Sequence, residues 1–514
     1  MTLPDRTADP SFAHRNALVD ESGHWNYAEL LSEAIHWRDR LAAAEPGDRI
    51  AYLVPPGRAH VAVQFGIWAR GGIAVPLAVS HPLPELEYVL DDARPSVIVA
   101  DPALPQTPHL AAATGARAAA FLTLPPSRRT TTVPTTPPPH PHHTTSPPHP
   151  GTAPTPPHHT DPALLIYTSG TTARPKGALV THGNLTAQIT TLTTAWGWTA
   201  SDRILHTLPL HHIHGVVNAL ACALWSGATC EFGPGAPTST WDRLASGEIT
   251  VFMSVPTVYT RLVRAWEHAP ARTRNRWSRG AADLRLMVSG SAALPIDILE
   301  RWREITGHTL LERYGMTEIG MALSNPLSGE RRAGYVGPPL PGVEARIVDG
   351  EGRPVARGEQ GEIEVRGPQV FREYWGRPGE TAAAFRDGWF RTGDEGCVGE
   401  GGYFRILGRR SIDIVKTGGY KVSALEVEEA FRAHPAVDDV AVVGVPHSEW
   451  GEQLRAVWVP STGCEGLEAA ELRAWGKARL APYKVPRLFR TVPELPRNAM
   501  GKVQKAAVRH MLVR

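Results

Sequence analysis

The stretch Tyr167-Thr-Ser-Gly-Thr-Thr-Ala-Arg-Pro-Lys-Gly177 decides how the rest of the chain is interpreted. It continues an apolar segment, 163–167, that predicts a buried strand. Small residues let backbone N–H groups approach an anion, hydroxyls donate further hydrogen bonds, and Lys176 adds a positive charge. The stretch therefore predicts a loop for nucleotide phosphates. The residues expected to contact the nucleotide are Thr168, Ser169, Gly170, Thr171, Thr172 and Lys176.

The loop differs from the phosphate loop of kinases and P-loop ATPases. That motif is G-x-x-x-x-G-K-[ST], whereas here Pro175 precedes Lys176 and Gly177 follows it. Ordinary P-loop chemistry is therefore disfavoured. A polar surface turn is the alternative interpretation, and it is weakened by the run of hydroxyls that ends in Pro-Lys-Gly.

Composition excludes several classes of protein. The 514 residues carry 53 Lys and Arg against 51 Asp and Glu, a net charge of +2, which argues against nucleic acid or an anionic membrane as a partner. We see no apolar run long enough to span a membrane, no secretory signal and no obligate protein partner. Four isolated cysteines favour a reduced, cytoplasmic protein.

The chain has three zones of different pattern. Strand and helix patterns alternate up to residue 124, which predicts βαβ units and a largely parallel sheet. The segment 125–161 is rich in Pro, Thr and His and has few aliphatic side chains, so we expect a disordered insertion. After Gly408 the pattern predicts a compact α+β unit of about 100 residues. The predicted domains are 1–408 and 409–514.

The loop resembles the [ST]-[ST]-G-T-[TS]-G-x-P-K-G motif of the adenylate-forming superfamily, with Ala173 where glycine is usual. Four further stretches resemble the family's motifs in the family's order, and the resemblance covers nearly the whole chain. It implies an α/β fold with a large multi-sheet N-terminal domain and a smaller, mobile C-terminal domain. The four stretches are Tyr314-Gly-Met-Thr-Glu318, Trp389-Phe-Arg-Thr-Gly-Asp394 with Gly408-Arg409, Lys416-Thr-Gly-Gly-Tyr-Lys421 with Glu426 and Glu428, and Pro496-Arg-Asn-Ala-Met-Gly-Lys502.

The resemblance also implies roles for these residues. Lys502, Thr317 and Glu318 would be catalytic, with Glu318 holding Mg²⁺. Asp394 and Arg409 would hold the ribose, Ser411 would be the hinge, and Lys416, Gly418 and Gly419 would reach the active site during thioester formation. The remaining nucleotide contacts would be Gly290, Ser291, Glu312, Arg313, Tyr314 and Gly315.

Longer runs resemble the malonyl-CoA and methylmalonyl-CoA synthetases within the superfamily, among them Leu286-Met-Val-Ser-Gly-Ser-Ala-Ala-Leu-Pro295. A dicarboxylate needs a cation for its distal carboxylate, because burying that charge unpaired is prohibitive. The candidates are Arg261 and Arg285. His211 and His212 are expected to shape the acyl and CoA pocket.

The implied activity is an ATP-dependent acid–thiol ligase that uses ATP, Mg²⁺ and coenzyme A on a small carboxylic acid. The carboxylate attacks the α-phosphorus, pyrophosphate leaves, and a thiol then displaces AMP. Three alternatives stay open: a medium-chain or aromatic acyl-CoA synthetase, an enzyme that loads a carrier protein, and an inactive nucleotide-binding relative.

Overall fold

The computed structural model describes residues 1–117, 119–125, 157–168, 175–417, 420–447, 450–464, 466–498 and 501–513. The described chain forms two compact units. The first contains Met1–Thr168, Pro175–Pro234 and Phe371–Arg377, and the second contains Gly235–Val370 and Pro378–Arg514.

Strands occur in both units. They are β1 (Asn16–Asp20), β2 (Gly23–Asn26), β3 (Arg49–Leu53), β4 (Ile73–Pro76), β5 (Val97–Ala100), β6 (Ala120–Thr123), β7 (Pro162–Thr168), β8 (Lys176–Thr181), β9 (Arg203–His206), β10 (Thr229–Phe232), β11 (Val251–Ser254), β12 (Leu286–Ser289), β13 (Leu311–Met316), β14 (Gly320–Ser324), β15 (Glu344–Val348), β16 (Gly361–Arg366), β17 (Glu373–Tyr374), β18 (Phe385–Arg386), β19 (Trp389–Val398), β20 (Phe404–Arg409), β21 (Ile414–Thr417), β22 (Tyr420–Ser423), β23 (Val437–His447), β24 (Gly451–Pro460) and β25 (Leu488–Thr491).

Helices pack between and around these strands. They are α1 (Leu3–Thr7), α2 (Tyr27–Arg40), α3 (Arg58–Ala69), α4 (Leu83–Ala93), α5 (Thr107–Arg117), α6 (His182–Ala195), α7 (Cys222–Trp225), α8 (Pro237–Leu244), α9 (Pro256–His268), α10 (Ala271–Ala282), α11 (Ile296–Thr306), α12 (Pro378–Ala384), α13 (Ala424–Arg432), α14 (Ala469–Lys477) and α15 (Lys505–Val513). A π-helical segment, His214–Ala221, runs directly into α7.

The first unit contains a sheet in the order β17-β8-β7-β4-β3-β5-β6. The pairs from β7 to β6 are parallel, as the βαβ pattern predicts, because each crossover passes through a helix or a long connection. β8 and β17 extend the sheet antiparallel. The buried side chains of β3, β4 and β5 pack with Leu86, Leu90 and Leu110 of α4 and α5. A second group, β9-β10-β1-β2, lies in the same unit.

The second unit contains the parallel strands β11, β12 and β13, with β14 antiparallel at the edge. All four residues of β11 and of β12 are buried, which is why both segments are almost wholly apolar. A separate antiparallel sheet contains β15, β16, β19 and β18, with β20 paired to β19. The final sheet, β22-β21-β24-β23 with β25 on β24, is covered by α13 and α14 on one face and by α15 on the other.

The tract predicted to be disordered, 125–161, falls mostly on residues 126–156, which lie outside the described residues. Its last residues differ from the prediction, because 157–161 form a turn. The Asp161 carboxylate accepts from the His158 amide at 2.7 Å, and the His159 carbonyl accepts from Gly183 N–H at 2.7 Å. The domain boundary at Gly408 stays a prediction.

Within the described part of the chain, no helix combines the length and the apolar character that crossing a bilayer requires.

Candidate active site

The phosphate loop connects the two strands of a hairpin. Thr168 at the end of β7 lies opposite Lys176 at the start of β8, so both ends of the loop meet at one register position. No helix follows the loop directly, which separates it from the strand–loop–helix arrangement of P-loop proteins. Lys176 Nζ lies 5.1 Å from the centre of the Tyr374 ring. The predicted contacts Ser169, Gly170, Thr171 and Thr172 lie outside the described residues.

Three of the predicted nucleotide residues meet in the second unit. Asp394 on β19 pairs in register with Arg409 on β20, and Arg409 Nε donates to Asp394 Oδ1 at 2.8 Å. The Tyr314 hydroxyl donates to Asp394 Oδ2 at 2.6 Å. Arg409 Nη2 also donates to Oδ2 at 3.4 Å, so the charge of the carboxylate is neutralised and Oδ1 retains a lone pair for a further donor.

Burial and charge act against each other at Arg409. Burial alone would lower the pKa of Arg409, but the Asp394 carboxylate, Tyr314 and the carboxylate of Glu318 outweigh it and raise the pKa above its ordinary value. Burial, followed by Asp394, raises the pKa of Tyr314 well above its usual range. Tyr314 is therefore a permanent donor, and Arg409 is a permanent cation.

Glu318 and Thr317 lie in the turn between β13 and β14. The turn is tight, because a Cβ on Gly315 would overlap the backbone of Gly320, so the predicted glycine is sterically required. Glu318 is buried. One hard carboxylate suits Mg²⁺, which binds through one or two carboxylates plus substrate phosphates. The described residues contain no group of three His, Cys, Asp or Glu side chains that could enclose an ion.

Gly290 and Ser291 follow the carboxyl end of β12. Ser291 is exposed and has a φ of 71°, a left-handed conformation that costs free energy for a residue with a side chain. Glu312, on β13 opposite Ser289, accepts from Gly334 N–H at 3.3 Å. Burial raises the pKa of Glu312 to about 8. The nucleotide contact of Glu312 stays a prediction.

Arg313 is the most unusual group at this edge of the sheet. It is 4% exposed, and its guanidinium lies directly against Gly290, where any Cβ would overlap it. Among the described residues, its Nε and Nη2 have no hydrogen-bond partner. Burial lowers the pKa of Arg313 to about 10, and Tyr259 on α9 partly opposes this. An uncompensated buried cation is costly, so the site is electrostatically prepared for an anion.

The two arginines predicted to bind a distal carboxylate lie in different places. Arg261 is exposed on α9, two residues from Tyr259, whose hydroxyl donates to the Val288 carbonyl at 2.9 Å. Arg285 precedes β12, at the amino end of that strand, whereas Gly290 follows its carboxyl end. The structure therefore brings Arg261 to the helix that covers Arg313 and places Arg285 at the opposite end of the strand.

The loop that carries Lys502 contacts the first turn of α9. A Cβ on Gly501 would lie 2.6 Å from Thr257 Oγ1, and Gly501 has a φ of 76°. Lys502 itself is exposed, and its N–H donates to Asn498 Oδ1 at 2.9 Å. Lys502 is thus presented from a loop that rests on the same helix as Arg261.

The predicted hinge residue, Ser411, lies between residues that hydrogen bonds hold in place. Arg410 donates to the buried carboxylates of Glu395 at 2.8 Å and Glu362 at 3.1 Å. Asp413 accepts from the backbone N–H of Arg409 at 3.1 Å. Conformational freedom is therefore restricted on both sides of Ser411.

Lys416 is exposed on β21, and its N–H donates to Glu452 at 2.9 Å. Gly418 and Gly419, predicted to approach the active site, lie outside the described residues. The hinge at Ser411 and the movement of this segment stay predictions.

The rings of His211 and His212 lie 4.2 Å apart at an interplanar angle of 47° in the first unit, and His81 lies 5.5 Å from His211. Burial, assisted by the neighbouring histidines, lowers the pKa of His212 to about 4 and lowers that of His211 further. Both rings are neutral at physiological pH, which suits the predicted role in shaping a pocket.

The sequence interpretation assigned Arg313 to the nucleotide and missed its burial. Gly290 ends an apolar run in the sequence, but no local pattern shows that this glycine lies against Arg313. Only the register of β12 with β13 shows that they meet.

Comparison with known proteins agrees with this geometry. Residues 6–375 match the family described as AMP-binding enzyme, and residues 426–502 match the AMP-binding enzyme C-terminal domain. The chain belongs to the AMP-binding enzyme family. The predicted superfamily is thereby confirmed.

Individual relatives match over most of their length. Human mitochondrial malonate–CoA ligase ACSF3 (Homo sapiens) is 45% identical, covering 99% of this chain and 92% of the human protein. Malonate–CoA ligase of Arabidopsis thaliana is 42% identical over 91% of this chain and 78% of its own. Among solved structures, ATP-bound MatB from Rhodopseudomonas palustris has a TM-score of 0.89 and 36% identity, covering 99% of each chain. The predicted α/β architecture is confirmed.

Proposed function

We propose that this AMP-binding enzyme is an AMP-forming malonate–CoA ligase. It joins malonate to AMP with release of pyrophosphate and then transfers the malonyl group to the thiol of coenzyme A. The observation that carries the substrate is Arg313, a buried guanidinium with two nitrogens unpartnered at the edge of the sheet. The relatives named as malonate–CoA ligases support the same reaction.

The nucleotide would be held by groups that are already oriented. Asp394 accepts from the ribose hydroxyls while Arg409 and Tyr314 fix its two oxygens. Lys176 and the hydroxyls of the phosphate loop would contact the β- and γ-phosphates. Glu318, a hard ligand of the kind that Mg²⁺ prefers, would hold the ion, which would neutralise part of the charge of the phosphates.

The acid would be held at both of its carboxylates. The distal carboxylate pairs with Arg313, whose planar guanidinium can bind it in a bidentate manner, and with Arg261 from α9. The pairing relieves the cost of the buried cation, so it favours an acid with a second charge. The reacting carboxylate is then directed at the α-phosphorus.

Lys502 would act on the charge that develops in the first half-reaction. The oxygens of the α-phosphate gain negative charge as the carboxylate attacks, and a fixed cation stabilises that charge. A thiol attack needs other groups at the same place, so we propose that the part of the chain after Ser411 rotates about this residue and replaces Lys502 by the segment around Lys416. Thr317 would contact the α-phosphate.

A second candidate is a medium-chain or aromatic acyl-CoA synthetase. This alternative would leave Arg313 without a counter-charge, and we therefore rank it second.

The direct test is the release of pyrophosphate by the purified protein with ATP, Mg²⁺ and CoA. Malonate, methylmalonate, octanoate and benzoate are compared at equal concentration. We expect turnover with malonate at least tenfold above that with either monocarboxylate. A preference for octanoate or benzoate contradicts the proposed substrate. If no acid leads to the release of pyrophosphate, the proposed reaction is contradicted.

We also propose a cytoplasmic location. All four cysteines are free, as expected in a reducing compartment. The human relative is named mitochondrial. Fractionation of cells that express the protein, followed by detection with an antibody, distinguishes the two compartments.

A further inference from the structure

Both ends of the phosphate loop are tied to one group of side chains in the first unit. The Tyr167 hydroxyl, two residues before Ser169, donates to Asp92 Oδ2 at 2.7 Å. The Tyr88 hydroxyl donates to the carbonyl of Pro175, the last residue of the loop, at 2.8 Å. Tyr88 and Asp92 are one turn apart on α4, so a single helix face contacts both ends.

Arg377 closes this group. It donates to Asp92 Oδ1 at 2.6 Å and to Oδ2 at 3.2 Å, and it also donates to the Tyr88 hydroxyl at 3.3 Å. Its chain segment is fixed in turn, because Trp375 N–H donates to the Gly177 carbonyl at 2.8 Å. Arg377 therefore links the two tyrosines through one bidentate ion pair, a geometry that is stronger and more directional than a single contact.

The ion pair between Asp92 and Arg377 is partly shielded from solvent, which strengthens it relative to a pair on the surface. The Asp92 and Arg377 side chains are 19% and 22% exposed. Burial, followed by the hydrogen bond to Asp92, raises the pKa of Tyr167 above its ordinary value, so its hydroxyl stays a donor. An ordinary surface turn would lack the hydrogen bonds that Tyr167 and Arg377 donate to Asp92 and that Tyr88 donates to the Pro175 carbonyl.

We propose that Asp92, Arg377, Tyr167 and Tyr88 form a brace that positions the phosphate loop for ATP. None of the four is assigned a catalytic part: they act through the loop, by fixing where its two ends stand. Anchoring both ends of a loop before a ligand binds reduces the conformational entropy that binding must otherwise cost. The inference rests on the proposed use of ATP but not on the identity of the acid.

The test compares ATP binding in four variants with that in the wild-type protein. Asp92→Asn removes the ion pair, Tyr167→Phe and Tyr88→Phe each remove one hydroxyl, and Tyr27→Phe is the matched control. The Tyr27 hydroxyl donates to the Ala228 carbonyl at 2.7 Å, away from the loop. The dissociation constant of Mg-ATP is measured by titration calorimetry without acid or CoA, and amide hydrogen exchange is followed over residues 168–176.

We expect the dissociation constant to rise about tenfold in Asp92→Asn and about threefold in each loop-end variant. Exchange over 168–176 should accelerate in these three, whereas Tyr27→Phe should match the wild type in both measurements. The KM for malonate should stay within twofold. If Asp92→Asn does not fold, the two hydroxyl deletions decide the question.

The double variant Tyr88→Phe, Tyr167→Phe sharpens the test. Because releasing either end frees the same loop, the double variant should lose less than the product of the single effects. The brace is overturned if the loss of ATP affinity in the double variant equals the product of the two single losses. It is also overturned if the folded single variants bind ATP as tightly as the wild type. A wild-type protein that binds Mg-ATP but rejects malonate would contradict the proposed substrate and leave the brace standing.

Discussion

The residues proposed to bind the ribose and those proposed to bind the acid share one strand but differ in how their charges are compensated. Tyr314 and Arg313 are neighbours on β13, and successive residues of a strand point to opposite faces. Tyr314 belongs to a satisfied network, in which the Asp394 carboxylate already has a cation and a phenol. Arg313 has two nitrogens with no partner among the described residues.

The difference indicates which part of the substrate each site selects. A satisfied network is rigid before the ligand arrives and adds little new charge pairing, so it suits a nucleotide common to many enzymes. An unpaired buried cation is compensated only when the correct anion binds, so it discriminates between acids. Substitutions at the residues of the two groups should therefore affect ATP and malonate differently.

Lys502→Ala should reduce pyrophosphate exchange with malonate by about 100- to 1,000-fold, because a cation is lost where the transition state gains negative charge. Lys477→Ala, which removes an exposed lysine on α14, is the control. Malonyl-AMP supplied to the variant should still react with CoA. Exchange at the wild-type rate would remove Lys502 from the first half-reaction.

Asp394→Asn should lower kcat/KM for ATP by about 10- to 100-fold, since hydrogen bonds to a charged acceptor are lost and Arg409 is left without its counter-ion. The KM for malonate should change less than twofold. Equal losses for both substrates would indicate general damage and would contradict a separate ribose site.

Arg313→Met should raise the free energy of unfolding by about 1–3 kcal/mol while it reduces activity with malonate. Replacing a buried charge that lacks a partner with an apolar side chain removes its desolvation cost. Urea denaturation without ligand measures the change. A less stable Arg313→Met protein would show that the guanidinium is compensated in the free enzyme.

The pH dependence of the free energy of unfolding should show the raised pKa of Glu312. Its pKa is raised to about 8 from an ordinary value of 4.5, so the folded state holds a proton that the unfolded state has lost between those pH values. Between pH 4.5 and about 8, Glu312 therefore lowers the free energy of unfolding by about 1.4 kcal/mol for each pH unit of increase. Glu312→Gln should flatten this part of the profile. An unchanged profile would contradict a raised pKa.

Arg261→Ala should have the smallest effect on malonate, about three- to tenfold in kcat/KM, because an exposed charge is screened by solvent. Arg285→Ala, at the opposite end of β12, is the control and should behave as wild type. A loss with Arg261→Ala larger than that with Arg313→Met would reverse the assignment of the two cations.

Parts of the site followed from the sequence and parts did not. Asp394 and Arg409 lie in motifs 15 residues apart, and a hairpin of β19 and β20 brings them face to face. The burial of Arg313 was not predictable, because it depends on the register between two strands separated by α11. The tie between Asp92 and Arg377 joins positions 285 residues apart, which no local pattern reveals. Local motifs thus predicted which residues meet around Asp394, whereas long-range packing determines the burial of Arg313 and the contacts of Asp92.

The central claim is that Arg313 selects an acid with a second carboxylate. The most direct measurement is the ratio of kcat/KM for malonate to that for propanoate, an acid of the same chain length with one charge, in wild-type protein and in Arg313→Met. We predict a large ratio in the wild type that falls at least 100-fold in the variant, through loss of malonate turnover alone. A ratio that is unchanged by the substitution would contradict the account.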